Sequence, residues 1–180
     1  MTRPPQVFFY CLTLLFVVSA CSRSGSNSVT EPAAKAGASP SPQRITSEGV
    51  VKVAAQPVQI SAGQSGEAVI RITIQNGYHV NANPPTYSYL KATELEVSPA
   101  EGVSLASVTY PKAQNKKFPF AEKLLAVYEG EADLKATLKT DKAAKKGERS
   151  IPARLRIQAC DDQVCYPPGT VELSIPVNVS

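Results

Sequence analysis

Histidine is nearly absent from this 180-residue chain: His79 is the only one. A zinc site built on two cysteines plus His79 would lack a fourth ligand and the close ligand spacing such sites use. There is no Ser/His/Asp set, no glycine-rich phosphate loop and no carboxylate pair in a strand context, so hydrolysis and nucleotide chemistry find no support. The formal net charge is only +4. The lysine clusters (Lys116 and Lys117; Lys142, Lys145 and Lys146) lie in turn-like sequence without stacking residues, which reads as solvated loop rather than nucleic-acid face. A sustained helical stripe is also missing; residues 143–146 allow one helical turn and no more. No internal repeat occurs, and neither a cofactor nor a metal is expected.

Long apolar runs are confined to the N-terminus. Behind Arg3, residues 7–18 form an apolar stretch of about a dozen residues, short of the roughly 20 needed to span a bilayer. It reads as the core of a signal peptide. The stretch ends in Val18-Ser19-Ala20-Cys21, which resembles the lipobox of bacterial lipoproteins and implies cleavage before Cys21 and acylation of its thiol; the plainer alternative is a secretory signal with an incidental cysteine. Ser22, rather than an inner-membrane retention Asp, favours the outer membrane. No second membrane segment follows, so the chain is not expected to carry electrons across a membrane itself. Residues 22–47 are rich in Ser, Ala, Gly and Pro, with Val29 and Ile45 as the only large apolar side chains. Such a segment buries too little to offset ordering and reads as a tether with a root-mean-square reach of roughly 25–30 Å. The expected organisation is a signal peptide at 1–20, a lipidated flexible tether at 21–47 and a folded periplasmic domain at 48–180.

From residue 49 onward the hydrophobic period is two. Ile70, Ile72 and Ile74 alternate with polar residues, as do Leu134, Ala136 and Leu138, then Ile151, Ala153, Leu155 and Ile157, then Val171, Leu173, Ile175, Val177 and Val179. This alternation marks strands with one face in a core and one in water. Turn signals such as Asn76-Gly77, Glu129-Gly130 and Lys146-Gly147 separate them. Strands near 50–55, 67–75, 78–82, 91–97, 103–109, 124–128, 132–139, 150–158 and 170–179 predict an all-β, two-sheet antiparallel sandwich.

Four cysteines are present. Cys11 leaves with the signal peptide and Cys21 carries lipid, so Cys160 and Cys165 remain as one pair in an oxidising compartment. They flank Asp161-Asp162-Gln163-Val164 and precede Tyr166-Pro167-Pro168. Extended chain would hold them too far apart to bond, but a turn through the four intervening residues brings them back, and the prolines stiffen the exit. A loop this short stabilises the fold by only about 2 kcal/mol, which motivates a purely structural bond weakly. Asp161 and Asp162 put negative charge beside Cys160 and disfavour a thiolate there. That sign points toward a reductant or relay rather than a strong oxidant.

The segment Gln158-Ala159-Cys160-Asp161-Asp162-Gln163-Val164-Cys165-Tyr166-Pro167-Pro168 resembles the active-site segment of the N-terminal periplasmic domain of the thiol:disulfide interchange protein DsbD. Gly77-Tyr78-His79-Val80-Asn81-Ala82-Asn83-Pro84 is similar to that family's strand leading to the active site. Tyr110-Pro111, Phe118-Pro119-Phe120 and Val127-Tyr128-Glu129-Gly130 resemble the region of its capping loop. The resemblance spans residues 45–180. It implies an immunoglobulin-like sandwich, a reversible Cys160–Cys165 disulfide, electrons taken from a membrane dithiol, thioredoxin-fold partners in the periplasm and a link to cytochrome c biogenesis. It also implies an aromatic cap over the pair, which either Phe118 or Phe120 would supply, and suggests Cys165 as the attacking thiol with Cys160 resolving. Some members have five residues between the cysteines instead of four, and some have tyrosines where His79 and Asn81 fall. The membrane and thioredoxin-like domains of DsbD have no counterpart in this sequence, so a donor in trans is expected.

Each of these residues also has a plainer reading. Cys160–Cys165 is either an exchanging pair or a structural staple in a non-enzymatic, immunoglobulin-like interaction lipoprotein. His79 is either a proton donor or acceptor near the sulfurs or a half-buried strand residue. Tyr166 either packs over the sulfurs or fills the core, and Phe118 and Phe120 are either a cap or ordinary core.

Overall fold

The computed structural model describes residues 44–180. The signal peptide, Cys21 and residues 22–43 of the expected tether lie outside the described residues. A single 3-10 turn at Glu48–Val50 leads into β1 (Val51–Ala55), β2 (Val58–Ile60), β3 (Ser65–Ile74), β4 (His79–Asn81), β5 (Glu94–Val97) and β6 (Val103–Thr109). There follow β7 (Gln114–Lys116), β8 (Leu125–Tyr128), β9 (Glu131–Thr140), β10 (Gly147–Ile157), β11 (Ala159–Cys160) and β12 (Gly169–Val179). Residues 141–144 form a turn, closed by Ala144 N–H donating to the Asp141 carbonyl, and residues 143–146 form no helix.

Two four-stranded sheets, ordered β1-β3-β9-β6 and β2-β12-β10-β5, face each other. The alternating residues read from sequence line the space between them: Ile70, Ile72, Leu134, Leu138, Ile151, Leu155, Ile157 and Ile175 are all fully buried in one cluster. The molecule is therefore the expected all-β, immunoglobulin-like sandwich. One pairing departs from a wholly antiparallel plan. The three-residue β2 runs parallel to the end of β12, with Val58 opposite Val177 and Ile60 opposite Val179. Cross-strand ion pairs, such as the bidentate Arg71–Asp133 at 2.8 Å, ride on the exposed faces. At such sites they are worth about 0–1 kcal/mol and act mainly on register.

A third sheet, ordered β11-β4-β8-β7, closes one end. Its central strand, β4, is buried at all three positions, so it has a core on each side. Successive side chains of a strand point to opposite faces. Val80, Tyr128 and Ala159 are mutual register neighbours and join the main core. The other face carries His79, Asn81, Cys160 and Val127, and Val127 belongs to a separate cluster with Phe118, Ala121 and Leu125.

The β10–β12 hairpin is paired along its whole length, from Gly147 opposite Val179 to Ile157 opposite Gly169. The cysteine segment is the excursion at its mouth, leaving the main sheet to pair with β4. Ser47 anchors that excursion. Its hydroxyl donates to the Pro167 carbonyl at 2.6 Å and accepts from Ala159 N–H at 2.9 Å. The sequence placed Ser47 in the tether, yet it is fully buried, so the folded unit begins before residue 48. Replacing Ser47 by Ala leaves the Ala159 N–H buried without a partner. The expected loss is about 1–3 kcal/mol, read as a lower midpoint in denaturant unfolding.

Candidate functional site

Cys160 and Cys165 are joined in a disulfide, with Cα atoms 3.9 Å apart and an isolated backbone bridge between the two residues. The turn that brings them together is built by Asp161. Its Oδ1 accepts the N–H groups of Gln163 at 2.7 Å and Val164 at 2.8 Å, and its Oδ2 accepts the Tyr166 hydroxyl at 2.6 Å. The Asp161 N–H donates to the Val164 carbonyl, and the Tyr166 N–H to that of Ala159. Asp161 therefore acts as a staple of the loop. These donors hold its carboxylate below the ordinary range, the tyrosine first among them. The same bond pushes the Tyr166 hydroxyl up to about 12. Asp162 is exposed.

The two sulfur-bearing residues have different surroundings. Cys160 is fully buried. Cys165 is half-buried and borders a groove of about 220 Å³ lined by Tyr87, Tyr89, Leu90, Phe120, Leu125 and Val164 among others. Several rim side chains are well exposed for apolar groups: Tyr89 at 70%, Val164 at 50% and Phe120 at 42%.

Over the Cys160 side lies a stack of rings. His79 stands directly opposite Cys160 in the β4–β11 ladder, and residues so paired have Cβ atoms about 4.5–5.5 Å apart on the same face. The Phe118 ring stacks on the imidazole with centroids 4.0 Å apart, and Phe120 stacks on Phe118 at 5.5 Å. Lys116 Nζ sits 5.5 Å from the centre of the Phe118 ring and pairs with Glu129 at 2.5 Å. The Lys-Lys-Phe-Pro-Phe sequence suggested an exposed loop. Instead Phe118 is fully buried, and Phe120 alone is partly open. Lys117 explains the difference: its ammonium donates to the carbonyls of Ala121 and Glu122, closing the loop so that Phe118 turns inward. Thr86 and Tyr87 latch the same loop from the other side, accepting the N–H groups of Ala126 and Lys123.

Of the remaining sequence-selected residues, Asn81 is buried on the Cys160 face and donates to Gln158 Oε1. Tyr78 and Tyr166 pack on the main-core side, ring centroids 6.1 Å apart. Tyr166 thus braces the loop through Asp161 and the core. Gln158 opens the cysteine segment, but the role of its side chain was not legible in the sequence. Its Oε1 also accepts the Lys91 N–H and its amide donates to the Tyr166 carbonyl, tying three segments together. Only its position at a strand end hinted at this. Among the described residues no group of three or more His, Cys, Asp or Glu side chains converges on a metal position.

A family model described as "Thiol:disulfide interchange protein DsbD, N-terminal" matches residues 46–175. The chain belongs to this family. Solved structures similar to it include the DsbD N-terminal domain of Neisseria meningitidis in the reduced form, at 21% identity and TM-score 0.48, covering 74% of this chain and 90% of that one. The N-terminal periplasmic domain of ScsB from Proteus mirabilis aligns at 14% identity and TM-score 0.48, covering 69% and 44% of the two chains. The complex between the DsbD N-terminal and PilB N-terminal domains of Neisseria meningitidis aligns at 19% identity and TM-score 0.46, covering 73% and 87%. No curated protein matches. Within this DsbD N-terminal domain the cysteine segment, the β4 strand and the ring stack all meet at one end.

His79 carries the strongest electrostatic signature there. Burial pushes its pKa down from 6.5 to about 4, with Lys116 adding to the fall while Glu129, Asp162 and Asp161 oppose it. An unfolded chain takes up this proton near pH 6.5, whereas the folded one does so only near pH 4. Stability therefore falls as pH drops through that window, and levels off below it. His79→Gln removes this part of the pH dependence, measured as the denaturation midpoint against pH; the contribution of Asp161 lies lower, below its ordinary 3.8.

Proposed function

We propose that this domain is a thiol:disulfide exchange module, tethered to a membrane through Cys21 and working in the periplasm. One observation carries the reading: one half of the Cys160–Cys165 bond is sealed while the other opens on an apolar groove. A staple has no use for such asymmetry. An exchanging disulfide does, because a foreign thiolate must reach one defined sulfur along the S–S axis while the other leaves.

In the reduced state Cys165, the reachable thiol, attacks a client disulfide. The client's distal sulfur leaves, and a mixed disulfide forms at Cys165. Cys160 then attacks Cys165, the Cys160–Cys165 bond re-forms, and the client departs as a dithiol. Reduction of the pair by a membrane dithiol in trans runs the same steps in reverse. Membership of the DsbD N-terminal family supports thioredoxin-fold proteins as partners. The exposed aromatic and aliphatic rim around Cys165 gives such a partner an apolar surface to cover, of the kind that interface cores use.

Mixing a Cys160→Ser variant with thioredoxin-fold proteins of the same envelope is expected to yield disulfide-linked adducts on a non-reducing gel. Cys165→Ser, which leaves only the sealed thiol, is expected to yield little or none. Absence of any adduct from both variants would contradict the proposal.

A further inference from the structure

The resolving step poses a problem that the exchange reading alone leaves open. Cys160 must attack as a thiolate, yet it is fully buried and lies beside Asp161 and Asp162. Burial and negative neighbours both favour the neutral thiol. Phe118, itself fully buried over this face, keeps bulk water from serving as the base. Asp161 is engaged three times over by Tyr166, Gln163 and Val164, so its carboxylate oxygens are already committed to holding the loop. Asp162 is exposed on the outside of the loop.

One titratable group shares the sealed face with Cys160. His79 is its direct cross-strand partner and is 1% exposed. Its Nε2 is buried and has no hydrogen-bond partner. A buried polar atom left unpaired costs stability, and the oxidised state offers it nothing, since a disulfide has no proton to donate. The reduced state supplies a thiol S–H across the ladder. We infer that His79 Nε2 is the proton acceptor for Cys160 in the resolving step, with the Phe118 stack holding the imidazole in place.

The Cys160 S–H proton passes to Nε2, and the thiolate attacks Cys165 Sγ. The new Cys160–Cys165 bond forms as the Cys165–client bond breaks. The client sulfur leaves with the electron pair and takes up a proton from His79 or solvent. Reduction of the pair runs the reverse: the imidazolium returns its proton as the Cys160 sulfur departs. The surrounding charges suit a group that cycles. Glu129, Asp161 and Asp162 favour the imidazolium, Lys116 opposes it, and Phe118 on the remaining side is apolar. A neutral resting imidazole is what a proton acceptor requires.

The inference rests on the exchange reading, and a two-step assay separates them. The reduced domain is mixed with glutathione disulfide, quenched with acid and followed by mass spectrometry. Glutathionylation at Cys165 reports the first step, and loss of the adduct with formation of the Cys160–Cys165 bond reports the second. In His79→Gln the second step is expected to slow relative to the first by at least about a hundredfold at neutral pH, the low end of what a positioned base provides, and to rise with pH where wild type is flat. If neither the adduct nor the Cys160–Cys165 bond forms in wild type, the exchange reading fails. If it forms, and its resolution in a folded His79→Gln domain matches wild type in rate and pH profile, His79 has no such role. A second measurement needs no change at His79. In a Cys165→Ala domain, which keeps Cys160 as a thiol, the His79 ring resonances are expected to titrate at a pH different from that in the oxidised wild type. Identical titrations would overturn the inference.

Discussion

The two-residue ladder between Ala159–Cys160 and His79–Val80 is the constraint on which this end of the molecule depends. It lifts the cysteine segment off the β10–β12 hairpin and divides its side chains between two cores. Ala159 and Val80 enter the main sandwich, while Cys160 and His79 face the ring stack. Two residues make a weak strand by themselves. Ser47 holds it through Ala159 and Pro167, and Gln158, the residue just before it, through Asn81, Lys91 and Tyr166. The site is thereby rigid although it sits in a connection, a common arrangement where a scaffold positions chemistry on a loop.

Rigidity on the Cys160 side is set against openness on the Cys165 side. Both sulfurs belong to one bond, yet the turn stapled by Asp161 places one on the buried face opposite His79 and the other on a groove. Phe118 and Phe120, adjacent in the stack, divide the work in the same way. The inner ring seals His79, and the outer ring forms part of the groove wall. The unpaired atoms at this end, His79 Nε2 and Asn81 Oδ1, mark where the fold tolerates incomplete hydrogen bonding. Buried polar groups without partners are uncommon enough that each calls for a physical explanation.

Period-two alternation made the long strands β3, β9, β10 and β12 legible, because each buries one face against a thick core. Two short strands were invisible for physical reasons. Residues 114–116 are exposed throughout, so they carry no alternation. Residues 58–60 follow a proline and pair over only three positions with the end of a distant strand. At the site, the disulfide and the neighbouring β4 strand could be read from spacing and from resemblance. The burial of Phe118 could not, since the adjacent lysines look like surface until Lys117 is seen closing its own loop. Ser47 was hidden for a similar reason: its partners lie 112 and 120 residues away, and nothing local distinguishes it from the serines before it.

Inequality of the two sulfurs in one pair underlies the whole of this chemistry. Its most direct measurement is competitive alkylation of the reduced, folded domain, with the modified cysteine identified by peptide mass mapping as a function of time. Cys165 is expected to be modified first, with Cys160 protected until the domain is unfolded. Equal rates at the two residues, or Cys160 reacting ahead of Cys165, would contradict it.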